Sequence, residues 1–194
     1  MKKISFPKLK LTFNAPVVLT FGAICLVTLI LSMLTGGVTN KLLFSTYHSS
    51  LANPLTYLRF FTHVCGHSSW THFLGNMSYI LLLGPLLEEK YGSKMLVWVI
   101  LFTALSTSLL NYILFPHSGL LGASGVVFAF ILLSSITGLK EGEIPITFVL
   151  VAIIYIGEQV YDGIFLTDNI SNMAHIVGGV VGTIIGFAVG KRRS

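Results

Sequence analysis

Six long apolar runs limit what this chain can fold into. They cover residues 15–34, 71–88, 94–115, 121–138, 145–161 and 170–190. These runs approach the roughly 20 residues that a helix needs to cross a bilayer, and they exceed the 9–11 residues of a membrane-spanning strand. Inside a bilayer the backbone polar groups must be satisfied internally, which runs of this length achieve as helices. The sequence therefore predicts an all-α membrane protein with six transmembrane helices.

The composition agrees with this prediction. Of the 194 residues, 54% are hydrophobic and 10% are charged, whereas soluble domains carry about 25% charged residues. Six crossings and their loops use nearly the whole length, so we expect one transmembrane domain over residues 1–194. Residues 1–14 form a basic tail, and residues 35–70 form a long, partly apolar loop that we expect to lie on the outer membrane surface.

The basic residues predict the orientation in the membrane. When the loops alternate from a cytoplasmic N-terminus, ten basic residues fall inside and only Lys41 and Arg59 fall outside. The ten are Lys2, Lys3, Lys8, Lys10, Lys90, Lys94, Lys140, Lys191, Arg192 and Arg193. This bias is typical of six spans with both termini cytoplasmic, and it assigns the positive charge to topology and lipid headgroups, so no nucleic-acid partner is expected.

The first apolar run could also be a cleaved signal segment. It is longer than the 7–15 apolar residues of such segments, and no A-x-A cleavage site follows it. We therefore expect it to be a retained span.

A serine stands between glycines at the beginning of the fourth run, in Gly122-Ala123-Ser124-Gly125. From Gly122 to Gly138 this run has 17 residues, or roughly 26 Å of helix against a hydrocarbon core of about 30 Å. One end must be recessed, and the predicted topology makes it the outer end, where Ser124 lies. Taken alone, such a serine more commonly bonds a backbone carbonyl of its own helix.

His175 is the only histidine in the later apolar runs, and an ionisable residue in a span is by default a functional candidate. Gly178, Gly182 and Gly186 share its helical face, and small residues let membrane helices approach closely. If this face meets Gly122 and Gly125, His175 can act as general base for a nucleophilic Ser124.

An acid that orients the histidine is not evident in the sequence. Glu88, Glu89, Glu158, Asp162 and Asp168 lie at the edges of spans, in a loop, or without an evident tie to His175. The sequence therefore indicates a serine–histidine dyad.

The second run supplies polar groups at the same depth. His72 and Asn76 are four residues apart and so share a helical face. Together with the Ser124 N–H, which belongs to the first turn of its helix, they can donate hydrogen bonds to an oxyanion. A metal site is the alternative, since His63, His67 and His72 are close in sequence. The glutamate of the HExxH zinc pattern is absent after His63, so no metal is expected.

Together these motifs resemble those of the rhomboid intramembrane serine proteases, in their compact six-helix bacterial type. The resemblance covers about residues 59–186 and lies in Gly122-Ala-Ser124-Gly125, His72-x-x-x-Asn76, Ala174-His175-x-x-Gly178-x-x-x-Gly182 and Glu88-x-x-x-Gly92. It implies cleavage of single-span membrane proteins near the outer face of a bacterial cell membrane, without a cofactor. Ser124 is then the nucleophile, His175 the base, and His72, Asn76 and the Ser124 N–H the oxyanion donors.

Two positions depart from the family pattern. Phe128 stands where a tyrosine usually stacks under the histidine, and Leu58 replaces the tryptophan before Arg59, the arginine of the membrane-lying loop. The stretch from Ile144 to Ile156 in the fifth helix has no small-xxx-small pattern that would lock it in place, so this helix is the candidate to move when a substrate enters. A rhomboid-like protein that binds membrane segments without cutting them, and a histidine-ligated metal or haem protein, remain alternatives.

Overall fold

The computed structural model describes residues 10–138, 143–165 and 169–190, and they form an all-helical structure. Its helices are α1 (Pro16–Leu34), α2 (Val38–Leu43), α3 (Pro54–Thr62), a 3-10 turn (His63–Cys65), α4 (Trp70–Tyr91), α5 (Ser93–Leu114), α6 (Ser124–Ser135), α7 (Ile146–Phe165) and α8 (Asn169–Gly190). This confirms the all-α prediction. Lys2, Lys3, Lys8, Lys140, Asp168, Lys191, Arg192 and Arg193 lie outside the described residues.

Four of these helices are long and apolar enough to cross a membrane, as judged by length and composition. They are α1, α5, α7 and residues Asn172–Val189 of α8. Helix α6 has only 12 residues. Helix α4 has 22 residues but carries Glu88, Glu89 and Lys90 at its end. The chain is thus an integral membrane protein.

Glu88 joins three helices at one end of the bundle. Its carboxylate accepts hydrogen bonds from the backbone N–H groups of Val17 and Val18, at 3.0 and 3.1 Å. Ser93 Oγ donates a third at 2.6 Å. The first N–H groups of a helix have no partner within it and attract negative charge, so Glu88 stabilises the beginning of α1 and ties it to α4 and α5.

Helix α6 lies at the centre of the core and is shorter than the predicted 121–138. Gly122 has φ 126°, a conformation that side chains disfavour, so the chain enters the helix only at Ser124. Twelve residues rise about 18 Å, which makes this helix still shorter relative to a bilayer than the sequence indicated. Ala129, Phe130 and Leu133 of α6 are fully buried.

Helices α6 and α8 approach each other to backbone contact. A Cβ atom on Gly178 would overlap the carbonyl oxygen of Gly125, and one on Gly182 would lie 2.8 Å from Ala129 Cα. Side chains of Leu133 and Ile136 cover Gly186. The predicted glycine face of α8 therefore packs on α6, with Ala129 and Gly125 opposite it. Gly122, which was expected in this contact, faces α4 instead.

The loop of residues 35–70 folds around the buried side chain of Arg59. Its guanidinium donates to Ser49 Oγ at 2.8 Å and to Leu42 O at 3.3 Å, and it stacks on the Tyr47 ring at 4.4 Å. Thr46 pairs with Leu120 through two backbone hydrogen bonds. Arg59 thus fixes the shape of a loop that pairs, through Thr46, with the segment just before Ser124.

Candidate active site

Ser124 occupies the first residue of α6 and is partly exposed. The segment before it is held in place because the Gly122 N–H donates to His63 O at 2.9 Å. Backbone N–H groups in the first turn of a helix have no partner within that helix. A hydroxyl and a backbone donor therefore lie together at this end of α6.

The imidazole of His175 stacks on the ring of Phe128. The ring centroids are 4.3 Å apart and the planes differ by 5°. Phe128 lies four residues, or one turn, after Ser124, so the two side chains share a face of α6. The stack therefore brings the histidine of α8 to the same side of α6 as the serine. Phenylalanine supplies the stacking surface although it lacks the hydroxyl of tyrosine.

Gln159 is a site residue that the sequence reasoning missed. Its Oε1 lies 2.6 Å from His175 Nδ1, and its side chain is buried. An amide oxygen can only accept, so Nδ1 carries the hydrogen in this bond and Nε2 carries the lone pair. The only sequence signal was a single amide in an otherwise largely apolar helix, directly after Glu158.

His72 and Asn76 of α4 both approach Gly122. A Cβ atom on Gly122 would lie 2.7 Å from His72 Nε2, so only glycine leaves room for that imidazole, and 3.8 Å from Asn76 Nδ2, which is ordinary contact distance. Ser68 Oγ lies 3.2 Å from His72 Nδ1. Both predicted donors thus reach the backbone two residues before Ser124.

The imidazole of His67 forms a hydrogen bond with the Asn76 side chain. Asn76 Nδ2 lies 3.1 Å from His67 Nε2, and His67 Nδ1 lies 3.2 Å from Cys65 O. The amide N–H and the carbonyl require a neutral imidazole that accepts at Nε2 and donates at Nδ1. Burial, together with the nearby His72, lowers the pKa of His67 to about 4. This ring therefore stays neutral and orients the Asn76 amide.

Both ring nitrogens of His63 also have hydrogen-bond partners within the protein. Its Nδ1 faces Arg59 O at 3.3 Å and its Nε2 faces Thr107 Oγ1 at 3.2 Å, and burial lowers its pKa to about 4. Among the described residues, no group of three histidine, cysteine or acidic side chains is arranged to hold a metal ion. His63 and His67 therefore act as buried hydrogen-bonding residues.

The chain is similar to known proteins of one family. The Rhomboid domain family matches residues 54–192. The chain is 30% identical to the Rhomboid protease GlpG of Haemophilus influenzae over 144 residues, which cover 70% of this chain and 71% of that protein. It is 24% identical to Rhomboid-like protein 11, chloroplastic, of Arabidopsis thaliana and 30% identical to Rhomboid-related protein 1 of Caenorhabditis elegans.

The extent of these matches differs between relatives. The matches to the plant and nematode proteins cover 69% and 68% of this chain, but only 52% and 39% of those two proteins. The part that the family model matches runs from α3 to the end of α8 and contains the serine, the histidine and the α4 donors. This chain is a member of the rhomboid family.

Proposed function

We propose that the chain is an intramembrane serine endopeptidase that cleaves single-span membrane proteins near the outer membrane face. The observation that carries this proposal is the stack of the His175 ring on Phe128. Phe128 lies one turn after Ser124 in the short helix α6, which is packed among apolar helices. Ser124 is the nucleophile and His175 Nε2 takes its proton. The family membership supports the same reaction.

The oxyanion that forms on the scissile carbonyl would be stabilised by the Ser124 N–H, His72 and Asn76. Donors held in advance at the place where the charge develops lower the barrier, because they need no reorganisation during the reaction. The neutral His67 behind Asn76 supports this role, because it fixes the direction in which the amide donates.

The proposal includes the predicted arrangement in the membrane. Helices α1, α4, α5, α6, α7 and α8 are the six spans of a single domain, with both termini cytoplasmic, in a bacterial cell membrane. The loop of residues 35–70 lies on the outer surface, which is supported by the exposed apolar side chains of Leu42, Tyr57, Leu58 and Phe61. The recessed end of α6 then opens to water from outside.

Cleavage of single-span proteins by the purified chain in proteoliposomes tests this function. Ser124→Ala should abolish cleavage, because the hydroxyl alone forms the acyl intermediate. Ser134→Ala is the matched control, since that hydroxyl belongs to the same helix and bonds its own backbone at Ile131 O; its cleavage rate should equal that of the parent.

The same assay addresses the alternatives. Cleavage by Ser124→Ala at the parental rate would contradict the serine mechanism. Retained substrate binding without cleavage by the parent would favour the non-catalytic binder. Excess chelator should leave the rate unchanged, because the proposed chemistry uses no metal.

A further inference from the structure

Gln159 holds an unusual place in α7. It is the one residue of that helix, within its described range Ile146–Phe165, whose side chain is buried. Leaving a polar group buried without a partner is costly. Gln159 meets this requirement through the 2.6 Å bond to His175 Nδ1, a short distance for a bond to nitrogen.

Two contacts restrain two different rotations of the His175 imidazole. The Phe128 ring, nearly parallel at 5°, fixes the tilt of the imidazole plane but permits rotation within that plane. The Gln159 oxygen lies near the edge of the ring, so it fixes which edge faces α7. The opposite edge, with the Nε2 lone pair, is then directed away from Gln159.

We propose that Gln159 is a positioning residue for His175, and that it selects the imidazole form with hydrogen on Nδ1 and the lone pair on Nε2. This inference rests on the proposed serine protease function. When Ser124 attacks, its proton moves to Nε2, and Gln159 still accepts from Nδ1 in the resulting imidazolium. The proton then passes from Nε2 to the leaving amine, which restores the starting form.

The bond also couples the base to the position of α7. Apart from Gln159, the described side chains of this helix are only partly buried or exposed, and those that face the bundle, such as Tyr155 and Ile156, make apolar contacts with the core. An outward movement of α7 that draws Gln159 away removes this acceptor from Nδ1. Gln159 therefore orients the base while α7 is docked on α8.

Variants at two adjacent positions test the inference. Gln159→Leu keeps the approximate size and removes the acceptor, and Gln159→Glu keeps an acceptor. Glu158→Leu is the matched control, because Glu158 is the exposed neighbour on the same helix. In the proteoliposome assay Gln159→Leu should lower kcat about 10- to 100-fold with KM within about twofold, as expected for a partial loss of general-base catalysis. Gln159→Glu should recover most of kcat, and Glu158→Leu should match the parent.

A spectroscopic measurement reads the same bond without activity. In protein with ¹⁵N-labelled histidine, His175 is assigned by comparison with His175→Ala. The parent should show the form protonated at Nδ1, and Gln159→Leu should show a mixture of both neutral forms. A parent His175 protonated at Nε2 would overturn the inference even if the leucine variant did not fold.

The outcomes separate this inference from the proposed function. Parental kcat in Gln159→Leu, with Ser124→Ala inactive, overturns the role of Gln159 alone. Equal losses in Gln159→Leu and Gln159→Glu with lowered melting temperatures would make Gln159 a packing residue and also overturn it. Cleavage by Ser124→Ala would instead refute the serine mechanism, whatever the Gln159 variants do.

Discussion

Replacing Gly182 by alanine should separate α8 from α6 and disable the proposed dyad. The added Cβ would lie 2.8 Å from Ala129 Cα and from its carbonyl carbon, whereas carbon atoms pack at about 3.5–4.0 Å. The added Cβ would also overlap the Ala129 carbonyl oxygen, so the helices must move apart by at least about 0.7–1.2 Å at this point. Because Gly182 lies two turns after His175 on the same face, this shift is transmitted to the base.

The expected effect is large. Misplacing catalytic groups by about 1 Å can cost about 10²-fold in rate, which corresponds to about 2.7 kcal/mol in the activation barrier. We therefore expect kcat of Gly182→Ala to fall about 100-fold in the proteoliposome assay, and Gly182→Leu to fall further. Alanine favours helix formation over glycine, so helix propensity would not cause the loss.

Two controls accompany this prediction. Gly157→Ala makes the same change on α7, where no atom lies within 4 Å of the added Cβ, and Ile184→Phe adds bulk to an exposed side of α8. Both should keep the parental rate. Parental turnover in Gly182→Ala, or an equal loss in Ile184→Phe, would refute the argument that close α6–α8 packing sets the serine–histidine distance.

Two further predictions concern the α4 side of the site. His72→Ala and Asn76→Ala should each lower kcat about 10²- to 10³-fold with little change in KM, since other oxyanion donors remain; normal turnover in both variants would show that this face of α4 does not contact the reacting carbonyl. Because the pKa of His67 is about 4 when folded and about 6.5 when unfolded, the unfolded chain binds more protons between these values, and stability should fall as pH drops from about 6.5 to 4, by up to about 3 kcal/mol. Burial lowers the pKa of His63 to about 4 as well, so thermal unfolding in detergent at several pH values should show a decline from both residues, and His67→Gln should reduce it by about half; an undiminished decline in that variant would assign it to groups other than His67.

The helices were predictable because a bilayer imposes strong demands on sequence. Apolar runs of about 20 residues leave little alternative to helices, and five of the six predicted segments begin within one residue of the observed helices. The exception is the fourth, where the run of apolar residues extends upstream through Gly122, but the positive φ of that glycine delays the helix to Ser124. Hydropathy does not report backbone conformation at a single residue.

The partners within the site were harder to predict. The glycine spacing after His175 indicated the α6–α8 contact, because small residues at helical intervals let membrane helices pack closely. Gln159 carried no comparable signal, since a neutral amide does not stand out as an orienting group in the way that an acid does, and its partner His175 lies on the next helix. The bond from Asn76 to His67 likewise depends on how the loop of residues 35–70 folds.

The most direct test is chemical labelling of the proposed nucleophile. A fluorophosphonate probe, incubated with the protein in detergent, should modify one serine, and peptide mass spectrometry should place the adduct on Ser124. His175→Ala should label much more slowly, because the hydroxyl then lacks its base. An adduct on a different serine, or equal labelling of Ser124→Ala and the parent, would contradict the assignment of Ser124 as the nucleophile.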